Sequence, residues 1–192
     1  MKTLVLGMGN TLLSDDGIGI IIKRYLEHRF NGEPGIDFVE TSWGGFRIID
    51  ILSGYDYAVI VDSIKTANRP QGYIHCLNAT DLLPTLRLTS FHDINFATAI
   101  KLAETLSVKV PADIDIFAVE VENNYTISEH IDPMLWKSIV KCSEKIIRHL
   151  VPKKIINPEA LRTKLPEIKT YDELQVYYNE EYTELTTMKL YH

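Results

Sequence analysis

Three observations predict an α/β fold, a three-layer sandwich with a twisted, mainly parallel sheet and helices on both faces. Short apolar runs alternate along the chain with runs of helical spacing. One of them, Tyr-Ala-Val-Ile-Val at 57–61, is apolar throughout, as a central parallel strand covered on both sides requires. The first run ends in Gly7-Met8-Gly9, where a strand can leave sharply into a turn and then a helix.

In chain order, residues 2–6 form a short apolar strand, and 17–28 place Ile18, Ile21, Ile22, Tyr25 and Leu26 on one helical face. Gly32, Pro34 and Gly35 make a turn, and 36–40 alternate as a second strand. A short helix passes through Phe46, Ile49 and Leu52 and stops at Gly54. After the central strand, 72–77 is a fourth strand. Residues 95–106 are a helix with Phe96, Ala99, Ile100 and Ala103 in register, and 114–121 are a further strand. Asp132-Pro133 reads as an N-cap with proline at the first helical position. The helix that follows runs to about Leu150, with Leu135, Ile139, Cys142 and Ile146 inward.

The expected division is an α/β domain over 1–150, then a linker and a C-terminal amphipathic helix over 151–192. Pro152, Pro158 and Pro166 punctuate the linker, Thr170-Tyr171-Asp172-Glu173 is a capping box, and Leu174, Tyr178, Tyr182 and Leu185 follow at helical spacing. That helix either folds back on its own domain or docks a partner or a second copy. The chain has 192 residues, is 45% hydrophobic and carries a formal charge of −6, which supports a sizeable core and disfavours nucleic-acid binding. Cys76 and Cys142 belong to no C-x-x-C pair and read as two reduced thiols. The N-terminal apolar run is too short for a secretion signal, and no stretch is long enough for a membrane span. A cytoplasmic protein, a monomer or weak dimer, is expected.

The opening loop resembles a dinucleotide-binding turn but departs from it at the third glycine, where Leu12 stands. Leu12 and Leu13 are expected to pack in that glycine's place. Two acids, Asp15 and Asp16, precede the helix, where a phosphate site would gather N–H donors and positive charge. In an open parallel sheet, ligands bind at the carboxyl ends of the strands. The polar residues expected there include Asn10, Asp15, Asp16, Glu40, Asp62, Ser63, His92, Asp93, Glu120 and Glu122. Asp62 directly follows the central strand, so it must sit half-desolvated at the sheet rim. Asp16, Asp62 and His92 together form an O,O,N donor set suited to nickel, zinc, manganese or iron, with positions left for water or substrate. Singly, each has a plainer role: a helix cap, a turn cap, a loop histidine. Glu40, ending the second strand, is the acid that a dinucleotide-binding enzyme would set on a ribose. There is no Gly-x-Ser-x-Gly elbow and no apparent serine or cysteine nucleophile.

The segment from Gly7 to Gly19, together with Val61-Asp62-Ser63, Ser90-Phe91-His92-Asp93 and the Gly44-Gly45 pair, resembles the nickel–iron hydrogenase maturation endopeptidases. The resemblance spans about residues 1–150. It implies a protease, of aspartyl or metal-dependent type, that removes the C-terminal extension of a hydrogenase large-subunit precursor once nickel is installed. It makes Asp16, Asp62 and His92 both the catalytic residues and the metal ligands, with the nickel carried by the precursor. It also implies one antiparallel strand, which 72–77 would supply. Asp15 or Asp93 would accept the proton of the attacking water. The alternatives are a nickel-binding checkpoint that docks the same precursor without cutting and, further off, the dinucleotide-binding enzyme.

Overall fold

The computed structural model describes residues 1–30, 32–42, 46–79, 93–162 and 165–177. Five strands form one sheet: β1 (Thr3–Met8), β2 (Ile36–Thr41), β3 (Tyr57–Ile64), β4 (Ile74–Asn78) and β5 (Asp113–Glu120), in the order β2-β1-β3-β5-β4. β1 pairs in parallel with β2 and β3, β3 pairs in parallel with β5, and β4 alone runs antiparallel, along β5. The sheet is therefore mainly parallel, and the antiparallel strand is the one that the family resemblance implied.

Helix α1 (Ile18–Phe30) joins β1 to β2, and α2 (Arg47–Leu52) joins β2 to β3. Helix α3 (Asp93–Thr105) precedes β5, α4 (Trp136–Leu150) follows it, and a single-turn α5 (Tyr171–Gln175) comes last. The period of two along each strand divides the core between the faces. Val5, Val59, Val61, Phe117 and Val119 meet α1 and α4 on one side. Leu4, Leu6, Ile60 and Ile114 meet Ile48 and Leu52 of α2 and Ile100 of α3 on the other. This is why residues 57–61 read as unbroken apolar sequence: β3 is buried along its whole length, and the burial extends through Asp62, Ser63 and Ile64. The inward faces expected for the first and last long helices are buried as expected. Asp132 caps as expected, accepting the Met134 amide, with Pro133 at the first position of a short 3-10 turn.

β1 lies between its two sequence successors, so the crossover through α1 goes to one side and the next returns to the other. The switch point between the carboxyl ends of β1 and β3 is where such a fold opens a crevice. Glycines let α1 come down into it. A Cβ on Gly19 would lie 2.3 Å from the Met8 carbonyl oxygen and 2.5 Å from that of Val61. Gly9, with φ of 133°, brings the loop so close that a Cβ there would lie 2.0 Å from the Asp16 carbonyl oxygen. The close helix–strand approach of a nucleotide fold is thus kept, but Gly19 supplies it. The expectation that Leu12 and Leu13 pack in its place is overturned for Leu12, whose side chain is 54% exposed.

Residues beyond 150 are joined to the same core. Ile156, Leu165, Ile168 and Leu174 are buried in the cluster that holds α1 and α4. The capping box is present, with Thr170 accepting the Glu173 amide and Glu173 reaching back to the Thr170 amide. In its described part the C-terminal segment folds back on its own domain; Tyr178, Tyr182 and Leu185 lie outside the described residues. Both cysteines are free, Cys76 exposed and Cys142 buried, and burial pushes the Cys142 thiol up from its ordinary value. Among the described residues no helix is long and apolar enough to cross a membrane.

Gly19→Ala forces a methyl group into two rigid backbone carbonyls. It is expected to cost about 3 kcal/mol, read as a lower urea midpoint in circular dichroism at unchanged m-value. Wild-type stability would mean that α1 can move off the strands.

Candidate active site

Asp62 is the sixth residue of β3, paired in register with Ala118 of β5, and is 8% exposed. Its Oδ1 accepts the Ser63 amide at 2.8 Å. Asp16 lies in the 3-10 turn Ser14–Gly17 that leads into α1 and is 6% exposed. Its Oδ2 accepts the Asn10 amide at 2.8 Å, and its Oδ1 accepts the Ser63 hydroxyl at 3.0 Å. One residue, Ser63, therefore donates to both carboxylates, its amide to Asp62 and its hydroxyl to Asp16. The sequence pointed to Asp16 and Asp62, and the structure brings them to one rim. Ser63 was expected at the rim, but sequence reasoning missed its role as the donor shared by both carboxylates, since a serine after an acid carries no such signal until the strand register is known. The third predicted member, His92, lies outside the described residues, as does the Gly44-Gly45 pair. Among the described residues no group of three or more histidine, cysteine or acidic side chains is disposed to hold a metal. Asp16 and Asp62 offer two oxygen donors from rigid elements, which fits the two-carboxylate part of an O,O,N set.

Asp15 has a different task. Its Oδ1 accepts the Asp132 amide at 2.9 Å and its own amide donates to the Asn123 carbonyl at 3.0 Å. Ser14, at φ of 52°, is held beside it through the Ser128 and His130 carbonyls. Burial raises the Asp15 pKa, and hydrogen bonds to its carboxyl from the Asp132 and Asn123 backbones only partly oppose this. These contacts pin the loop after β5 to the loop after β1. Asp15 is thereby committed to the scaffold, which removes it as the acceptor of a water's proton.

Glu40 is no free ribose acceptor either. Arg24 grips it with two donors, Nε to Oε2 at 2.8 Å and Nη2 to Oε1 at 2.5 Å. The fully buried Lys23 adds its ammonium at 3.2 Å and pairs with Glu27 at 2.7 Å. Burial would raise the Glu40 pKa, but the Arg24 hydrogen bonds and the charges of Lys23 and Arg24 outweigh it, so the net shift is downward. Glu120, the last residue of β5, is likewise occupied, accepting the Thr66 and Ala67 amides, the Thr66 hydroxyl and the His75 ring. Beside the acid pair, a cavity of about 740 Å³ opens at the carboxyl ends of β1 and β2, touching Gly9, Asn10, Glu40, Thr41, Arg47 and Gln175.

A family model described as hydrogenase maturation protease (HycI) matches residues 20–149, more than half of the chain. The chain belongs to the hydrogenase maturation protease family.

The hydrogenase 2 maturation protease of Escherichia coli K12 is 27% identical over 107 residues, a match covering 46% of this chain and 65% of that protein. Among solved structures, the hydrogenase-maturating endopeptidase HybD from E. coli superposes with a TM-score of 0.69 at 22% identity, over 80% of this chain and 94% of the other. The [NiFe] hydrogenase maturation protease HybD from Thermococcus kodakarensis gives a TM-score of 0.61 at 20% identity, over 78% of this chain and 99% of the other. These superpositions establish a shared α/β fold. As a hydrogenase maturation protease the chain is a poor fit to the dinucleotide reading, which had also required Glu40 to be available.

A pH dependence follows for Glu40. Its folded-state pKa is below the ordinary value of 4.5, so the stability it contributes is present above that value and lost as pH falls through the folded-state value. Glu40→Gln leaves Arg24 and Lys23 short of their counter-charge and is expected to cost about 2 kcal/mol at pH 7. The gap to the wild type should narrow in urea titrations below the ordinary glutamate value. A gap that stays constant into acid would show that Glu40 is not the group responsible.

Proposed function

We propose that this protein is an endopeptidase that removes the C-terminal extension of a nickel-loaded hydrogenase large-subunit precursor, acting in the cytoplasm. The observation that carries the reading is the pair of buried carboxylates, Asp16 and Asp62, tied together by Ser63 at the switch point of a chain from this family. Asp16, Asp62 and His92 are the residues we assign to the nickel that the precursor brings. In that role the protein tests whether the metal has been installed before the chain is cut.

The nickel would polarise the scissile carbonyl or acidify a water, either contributing several kcal/mol. Water then adds to the carbonyl carbon, the C–N bond breaks, and the departing amine takes a proton. The protein's part is to hold the two carboxylates without reorganisation: Asp62 from a strand buried on both faces, Asp16 from a turn locked by Gly9 and by the Asn10 amide. Of the two acids considered for the water's proton, Asp93, at the start of α3 and next to His92, is the one we retain.

Asp62→Asn keeps the shape and the acceptor for the Ser63 amide while removing the charge. It is expected to reduce processing of nickel-loaded precursor at least about 100-fold, followed as mass loss, with a thermal midpoint close to the wild type. Full processing by this variant would sink the assignment. Binding of the precursor by wild-type protein with no mass loss would identify a nickel-sensing checkpoint instead of a protease.

A further inference from the structure

The cavity beside Asn10 has a wall that the family match does not account for. The matched region ends at residue 149, yet Gln175 of α5 lines the cavity together with the loop after β1 and the end of β2. Three contacts set α5 there. Leu174 is fully buried in the core, so the segment cannot rotate freely. Arg24, while gripping Glu40, donates through Nη1 to the Tyr177 carbonyl at 3.0 Å. Tyr25, one residue along α1, donates its hydroxyl to the Pro166 carbonyl and packs its ring 5.1 Å from that of Tyr177. Helix α1 is thus the anchor for both ends of the segment 165–177.

The cavity adjoins the candidate site through Asn10, which lines it and donates its amide to Asp16. Arg47, exposed, also lines it. A volume of about 740 Å³ with polar walls has room for a few residues of extended polypeptide.

We infer that Gln175 is a substrate-specificity residue, forming one wall of the subsite that receives the precursor's polypeptide next to the scissile bond, and that Arg24 latches in place the segment that carries it. The inference rests on the proposed protease function for the identity of the occupant.

The test is the dissociation constant for nickel-loaded precursor, measured alongside cleavage and thermal midpoint. Gln175→Trp narrows the cavity and is expected to weaken binding about tenfold, as misfit in a pocket does, while kcat stays within about twofold. Val176→Trp, on the next residue, which is 40% exposed and not among those lining the cavity, is expected to match the wild type. Should Gln175→Trp lower the midpoint, the isosteric Gln175→Glu replaces it, with a change in dissociation constant of at least about threefold expected. Wild-type affinity in a folded Gln175 variant, or equal weakening by Val176→Trp, overturns the inference. Precursor binding without cleavage by the wild type would instead defeat the protease reading, and the dissociation constants would still decide the role of the wall.

Discussion

The contact on which the rest depends is the seating of α1 against the carboxyl ends of β1 and β3 through Gly19. The 2.3 and 2.5 Å distances that a Cβ would make to the Met8 and Val61 carbonyls mean that no other residue allows this approach. Because the helix sits that low, its preceding turn reaches the rim of β3, and Asp16 arrives within hydrogen-bond distance of the Ser63 hydroxyl. Gly9 completes the geometry by letting the loop close over the Asp16 backbone. A helix seated even slightly higher would leave Asp16 and Asp62 on separate elements with no shared partner.

Two buried carboxylates side by side are a liability to stability. Each loses hydration, and each raises the cost of ionising the other. The donors present offset part of this: the Asn10 amide and Ser63 hydroxyl for Asp16, and the Ser63 amide for Asp62. The buried acids elsewhere in the chain are treated differently. Glu40 has Arg24 and Lys23 as counter-ions, and Glu120 has two amides, a hydroxyl and an imidazole.

Much of the fold was legible because its signals are local. The alternation of apolar runs, the unbroken stretch at 57–61 and the faces of the first and last long helices follow from side-chain periodicity, which burial enforces residue by residue. The acids of the site were legible by position, although Asp62 lies buried within β3 and not half-desolvated after it, as the apolar run at 57–61 suggested. Pairwise long-range geometry was not legible. That Asp15 would turn to the Asp132 amide, 117 residues away, while its neighbour turned to Ser63, depends on a loop pinned by Asn123 and Ser128. Nor could periodicity show that Leu12 stays in solvent, because the close approach it was thought to replace had moved seven residues along to Gly19.

The opening loop and the nucleotide folds it resembles solve one electrostatic problem in two ways. The N-terminus of a helix at a switch point carries partial positive charge and unpaired N–H groups, which a dinucleotide fold offers to a phosphate. Here two acids already occupy the first turn before α1, so the chain supplies the anion itself. A phosphate is then repelled. The consequence is a reversal of what the crevice selects. The same backbone path that gathers positive charge toward a nucleotide presents negative charge, which suits the nickel proposed to arrive with the precursor.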